Sequence, residues 1–556
     1  MKCLLGIFLI GAACSSWAQV PVFRNPLDTP VQLSSNFGEV RTDHFHTGYD
    51  YRTNGKRGLP VYAAADGYVS RIKVSATGYG KVVYLIHPGN FMTVYAHLDS
   101  FNSALGAYVR AEQYRRQSFE IELFPEPNRF YVRQGQTIGY SGNSGSSSGP
   151  HLHFEIRDAS GESFPLNPYP FLPVPDTVTP VLSKLILYPQ RQGCAQAKST
   201  PVPLRKRHGN WQTIPDSVVS NDPVIGLGIQ VKDFFNGMQA DQGIYRLTAE
   251  MDDRVVFELR FDRLVFGNGR YVNAHIDYAA FSNDGQVIHK LYREPGDHNT
   301  IYTQLVDDGY LDLGDQQWHR VVVRAADAAG NEAVLAFHLR YSGTSSPAAE
   351  NNSCLRHDAP FSYNDDSLRI LIPSGAVYRN SIFRTVKQPR RSAFSAYYQI
   401  GLAEVPLHRE MDIAILPSRI LPTQWEKMVI VRLNNGQKRA LPTQKQDQWL
   451  KASSRSFGTF VILADTSAPR IVPLNVRPYQ RLTGRYIHLE GIDDLTGISS
   501  YAAYLNDEWI LMEYDPKIDR FTVVIDQMLP EGPHRLRVQV ADAVGNQTIY
   551  ELAFLK

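Results

Sequence analysis

The stretch Gly149-Pro150-His151-Leu152-His153-Phe154-Glu155-Ile156 decides how this chain is read. It alternates polar and apolar side chains and ends in aromatic and β-branched residues, so it reads as a strand. Residues i and i+2 of a strand point to one face. The imidazoles of His151 and His153 therefore stand side by side and can share one site. Two further segments carry side chains of the same kind: His46-Thr47-Gly48-Tyr49-Asp50, and the alternating run Thr93-Val94-Tyr95-Ala96-His97-Leu98, whose partner strand is expected in Lys81–His87. Catalytic zinc takes a few N or O ligands and keeps one position open for water, a need that two His and one Asp meet. No His-Glu-x-x-His pattern occurs, so the helix-based plan of zinc peptidases does not apply.

One His-x-His pair is more often structural than metal-binding; an ordered series carries more weight. After His46 and Asp50 come Gly67-Tyr68-Val69, Tyr95-Ala96-His97-Leu98, Gln134-Gly135-Gln136-Thr137-Ile138-Gly139, Gly142-Asn143-Ser144-Gly145 and then the His-x-His strand. On these motifs, residues 30–160 resemble the M23 family of zinc metallopeptidases, the lysostaphin and LytM-type peptidoglycan endopeptidases. The resemblance implies a small antiparallel β domain with one Zn2+ in an open groove. It implies His46, Asp50 and His153 as zinc ligands, and His97 and His151 as the catalytic pair. One of the pair would act as general base while neutral and the other would stabilise the oxyanion; His151, beside the ligand His153, is placed nearer the water. Tyr49, Tyr79, Asn143 and Ser144 are expected at the rim. His44 lacks the four-residue spacing to Asp50 that His46 has, and His87, before a Pro-Gly-Asn turn, reads as structural. The interval 99–131 departs from the family pattern. It contains an expected amphipathic helix over 103–117 and reads equally as a surface decoration or as a wall of the groove.

The remaining length is organised around a repeat. At 556 residues the chain needs several domains, and 43% apolar with 20% charged residues excludes a disordered or collagen-like chain. The 30 Tyr and 26 Phe, many in alternating runs, favour β structure. Asp176-Thr-Val-Thr-Pro180, Asp233-Phe-Phe-Asn-Gly237 and Ala326-Asp-Ala-Ala-Gly-Asn331 recur in the same order as Asp465-Thr-Ser-Ala-Pro469, Asp493-Asp-Leu-Thr-Gly497 and Ala541-Asp-Ala-Val-Gly-Asn546. The last element, flanked by alternating runs, is a hairpin signal. Each copy reads as an antiparallel β-sandwich resembling bacterial immunoglobulin-like modules. The repeated Asp residues fit turn chemistry first and calcium ligation second. The expected organisation is mainly β: a signal peptide 1–18, a metallopeptidase domain 19–175, a sandwich with a large insertion 176–345, a linker and β-rich module 346–464, and a second sandwich 465–556.

Lys2, an apolar run Cys3–Ala13 and Ser16-Trp17-Ala18 read as an export signal cleaved after Ala18, with lipid attachment at Cys14 as the lesser alternative. The run is too short to span a bilayer. Export to the periplasm or cell envelope leaves Cys194 and Cys354 in an oxidising compartment, either paired across 160 residues or free. A net charge of +2 excludes bulk attraction to nucleic acid. The expected function is a zinc metalloendopeptidase acting on peptidoglycan stems or cross-links, with envelope partners reached through the β modules. The alternative is a non-catalytic wall-binding or amidase-activating scaffold.

Overall fold

Nine strands form the sheet that carries the His-x-His segment, because β-branched and aromatic runs alternate there with turn residues. In chain order they include β1 (Leu33–Ser35), β2 (Tyr49–Arg52), β3 (Gly67–Val74), β4 (Lys81–His87), β5 (Phe91–Ala96), β6 (Ile121–Leu123) and β7 (His151–Asp158). Their spatial order is β1-β2-β7-β5-β4-β3-β6, antiparallel throughout. The computed structural model describes residues 20–556 except 162, 191–192, 195–197, 239–240, 344–352, 390–393, 435 and 526–527. The expected export segment 1–18 and the start of the expected linker lie outside the described residues.

β7 is buried along nearly its whole length because both its faces are covered. Leu152, Phe154 and Ile156 enter the core with Ile72, Val83, Leu85 and Tyr95. Phe154 meets Tyr95 and Tyr51 edge-on at 5.3 and 6.1 Å between centroids. The other face carries His151, His153, Glu155 and Arg157. In the register, His153 lies opposite Asp50 on β2 and opposite Ala96 on β5.

Helix α1 (Ser103–Arg116) occupies the 99–131 interval. Asn102 caps it by accepting the Leu105 N–H, and Leu105 and Val109 anchor it in the core. Its Tyr114 meets Trp509 of the last module edge-on at 5.2 Å.

Behind this domain the chain stays β. A five-stranded and an eight-stranded sheet enclose the largest apolar cluster, within residues 181–341. Two five-stranded sheets enclose a third cluster over 355–464, and two four-stranded sheets a fourth over 471–554. The turns at 326–331 and 541–546 each join two long antiparallel strands, as the hairpin signal predicts. The cores interlock. Phe37 and Phe45 of the N-terminal segment belong to the core of the first sandwich, while Phe235 and Leu511 enter the core beneath β7. Cys194 and Cys354 are disulfide-bonded, with Cα atoms 5.5 Å apart, joining the first sandwich to the module that follows it.

Because the bridge closes a loop of 160 residues, its loss releases substantial chain entropy in the unfolded state. The double substitution Cys194→Ser, Cys354→Ser is predicted to cost about 2–5 kcal/mol. Denaturant unfolding under non-reducing conditions measures it, and an unchanged midpoint contradicts a stabilising bridge.

Candidate metal centre

Pairing of β2 with β7 brings three ligand atoms together. His46 Nε2 lies 3.1 Å from Asp50 Oδ1 and 3.1 Å from His153 Nδ1, and His153 Nδ1 lies 2.9 Å from Asp50 Oδ1. Zinc bonds of ~2.0–2.1 Å in tetrahedral array give edges of about 3.3 Å, so the donors are spaced to take such an ion with slight expansion. All three residues are buried. His46 Nδ1 lies 2.7 Å from the Asn36 carbonyl, and His153 Nε2 lies 2.7 Å from Glu155 Oε1. Neither acceptor can donate, so those nitrogens carry hydrogens, and a metal at the common point would take the lone pairs of the opposite nitrogens.

The surroundings call for a cation. Burial opposes ionisation of Asp50, yet the charge of His46 and hydrogen bonds from His151, His153 and His46 hold its carboxyl well below the usual range. Burial also works against a charged His153, but hydrogen bonds to Asp50 and Glu155 raise it to about 9. Glu155 is fully buried and is held by Arg157 Nε at 2.5 Å, Tyr79 Oη at 2.5 Å and Thr47 Oγ1 at 2.8 Å. The Tyr79 ring stacks on His153, centroids 5.2 Å apart.

Both remaining histidines face this point. His151 Nδ1 donates to the Gly149 carbonyl at 2.8 Å, leaving Nε2 3.5 Å from Asp50 Oδ1. His97 Nδ1 donates to the Ser144 carbonyl at 2.9 Å, and its ring lies 4.8 Å from that of His151. Burial, together with His153 and His151, pushes His97 down to about 3, so the ring is neutral. His97 turns the chain with φ at +58°, an uncommon conformation for a bulky residue and one that clusters at functional sites. Gly48 is required by closeness: a Cβ there would stand 2.2 Å from the Phe154 carbonyl oxygen.

The five site residues named from sequence thus converge. The rim expectation fares differently. Tyr79 lines the cleft, but Tyr49 is a core residue. Ser144 works beneath the loop, its Oγ donating to Leu98 O and accepting from Lys81 N. The Asn143 carbonyl accepts from Lys517 of the last module at 2.5 Å. His44 is solvent-exposed beside Asp43, and His87 is buried between Asp66 O and Thr93.

Sequence reasoning missed two things. The Glu155–Arg157 support could have been found, since both residues share the face of His153 on one strand. The far wall of the cleft carried no signal. The cleft holds about 590 Å3, and Leu264, Val265, Phe266, Asn268 and Gly269 of the first sandwich line it; no residue of the 99–131 interval does. Arg157 lies under the Phe266 ring at 4.6 Å. Lys81 pairs with Glu513 of the last module at 3.0 Å.

Residues 44–114 and 128–168 match peptidase family M23, and residues 352–465 match the Zu5-like domain. The segment bearing the histidine cluster is therefore an M23 peptidase domain, followed by β domains. The DD-carboxypeptidase/endopeptidase Mpg of Neisseria meningitidis is 35% identical over 152 residues, 26% of this chain and 28% of that protein. The peptidoglycan DD-endopeptidase ShyC of Vibrio cholerae is 33% identical over 142 residues, 24% and 26%. The murein hydrolase activator NlpD of Salmonella dublin is 30% identical over 162 residues, 29% and 34%. The chain thus spans between a quarter and about a third of the length of these relatives. A solved catalytic domain, that of the prophage-encoded M23 protein EnpA from Enterococcus faecalis, is 25% identical, covers 26% of this chain and 95% of its own, and has a TM-score of 0.20.

Glu155→Gln removes the charge that orients and polarises His153. It is predicted to weaken zinc affinity ~10–100-fold, read by competition with a chromogenic chelator. Unchanged affinity contradicts the orienting role.

Proposed function

We propose that the chain is a zinc metalloendopeptidase of the cell envelope that hydrolyses peptide bonds in peptidoglycan, D,D cross-links foremost. The convergence of His46 Nε2, Asp50 Oδ1 and His153 Nδ1 beneath two further histidines carries this reading. The resemblance to a peptidoglycan DD-endopeptidase over the same segment supports the substrate class. No helix among the described residues is long and apolar enough to cross a membrane.

His46, Asp50 and His153 would hold zinc, which when bound supplies a Lewis acid that acidifies water and polarises a carbonyl. His151, its Nδ1 hydrogen held by Gly149 O, presents Nε2 to the centre as the base that takes the water's proton and passes it to the leaving amine. His97, its Nδ1 hydrogen held by Ser144 O, presents Nε2 beside His151 and would stabilise the developing oxyanion once that nitrogen has taken up a proton. The cleft, within the ~300–1,000 Å3 of typical ligand sites, takes a short peptide against Phe266 and Tyr79.

A second reading, a scaffold that activates another hydrolase, is favoured by the similarity to the activator NlpD. The complete set of ligands and both histidines opposes it. The reading is tested by digesting purified peptidoglycan with zinc-loaded full chain. Soluble peptide fragments should appear, vanish on chelation and return with zinc, and His151→Ala should lower their rate ~10²–10⁴-fold. Wild type releasing no more than His151→Ala would contradict the peptidase reading.

A further inference from the structure

The internal repeat places two acidic triads at corresponding positions: Asp176, Asp233 and Asp327 in the first copy, and Asp465, Asp493 and Asp542 in the second. Each triad brings three carboxylate oxygens within 4.8 Å of one another. Asp327 accepts from Asn331 N and Nδ2 at 2.9 and 2.7 Å, as Asp542 does from Asn546, so the two copies differ chiefly at Asp176 and Asp465. In the second, Asp465 Oδ2 accepts from Thr496 N and Oγ1 at 3.0 and 2.6 Å, and Asp542 accepts from Asn546 N and Nδ2 at 2.8 and 2.6 Å. Asp493 Oδ2 accepts from Gly497 N at 2.7 Å, while its Oδ1 is buried without a partner among the described residues. Local donors thus meet most of the demand, as turn chemistry requires.

The first copy lacks the donor that Thr496 supplies. Asn236 stands at that position, and its Oδ1 accepts from Thr177 instead of donating to Asp176. Asp176 Oδ2 and Asp233 Oδ1 are left buried without a hydrogen-bond partner among the described residues. Asp233 is only 1% exposed. No Lys or Arg forms an ion pair with any of the three among the described residues. Burial, with the charges of Asp327 and Asp176, pushes Asp233 up to about 8. An unpaired buried carboxylate is costly, so this arrangement is balanced either by a proton on Asp233 or by a cation from outside the chain.

The three carboxylates line a cavity of about 10 Å3, the size of a single ion or water. Its other walls include Asn36, Tyr49 and Asn167 of the peptidase domain. We propose that Asp176, Asp233 and Asp327 bind a hard divalent cation, calcium foremost by its oxygen donors, at the seam between the peptidase domain and the first sandwich. The donors in the triad are all oxygens, which suits Ca2+ and not zinc.

The cation also reaches the catalytic side through one residue. Asn36 binds Gly243 N and O through its side chain, at 2.7 and 2.8 Å, and its carbonyl orients His46. Occupancy fixes the segment that aims a zinc ligand. The site itself does not depend on the chain being a peptidase.

Calorimetric titration of zinc-loaded full chain with CaCl2 in calcium-depleted buffer tests the proposal. About one Ca2+ should bind per chain, with an affinity in the ~10⁻⁵–10⁻³ M range, and the unfolding midpoint should rise. Asp233→Asn should abolish the binding while leaving the calcium-free midpoint equal to or above that of wild type, since it relieves a buried repulsion. Asp493→Asn should leave the binding intact. Tb3+ provides a readout on wild type alone: Tyr49, Tyr169 and Tyr245 line the cavity and should sensitise its luminescence, with Ca2+ displacing it. Absence of calcium binding by wild type, unaltered binding by Asp233→Asn, or its loss in Asp493→Asn would each overturn the proposal.

Discussion

The pairing of Asp50 on β2 with His153 on β7 is the constraint on which the rest of the site depends. Side chains alternate along a strand, so a slip of one residue would turn Tyr49 or Tyr51 toward the histidines and push Asp50 into the core. The core prevents that slip. Tyr51 and Phe154 meet edge-on, and Leu152, Phe154 and Ile156 fill the opposite face of β7. Apolar burial of one face therefore fixes, to the residue, which polar groups meet on the other. The polar face then completes itself, as Arg157 and Tyr79 hold Glu155, Glu155 holds His153, and Asn36 O holds His46.

Much of this was legible in the sequence, because strand periodicity is a local rule. The alternation in 149–156 placed His151 and His153 on one face, and His46 and Asp50 could be named from their spacing. The same rule puts Glu155 and Arg157 on that face, so their role was readable in principle. Tyr49 was misplaced at the rim for the complementary reason. It neighbours Asp50 on a strand and so must point the opposite way, into the core. Contacts between distant segments were not legible. Phe266 lining the cleft and Lys517 reaching Asn143 O join residues over a hundred positions apart, and no periodicity records such a meeting. The disulfide was open in the sequence for the same reason.

The β modules are more than appendages to the M23 segment. Phe45, adjacent to His46 of the candidate metal centre, belongs to the core of the first sandwich and meets Phe261 at 5.0 Å between ring centroids. Gly38, with φ at +84°, is so close to Phe261 that a Cβ there would stand 2.7 Å from its ring. The hairpin that delivers His46 is thereby clamped between two domains. The last module grips the opposite side of the site through Lys81–Glu513 and the 142–149 loop. With a net charge of only +2, the wall-polymer recognition that the proposed function requires would fall to local surfaces such as the cleft between Tyr79 and Phe266.

The most direct test is the anomalous diffraction signal at the zinc absorption edge from crystals of the zinc-loaded full chain. One peak should lie within bonding distance of His46 Nε2, Asp50 Oδ1 and His153 Nδ1, with His97 and His151 nearby but not ligating. A peak centred on His97 and His151, or none within this cluster, would contradict the account.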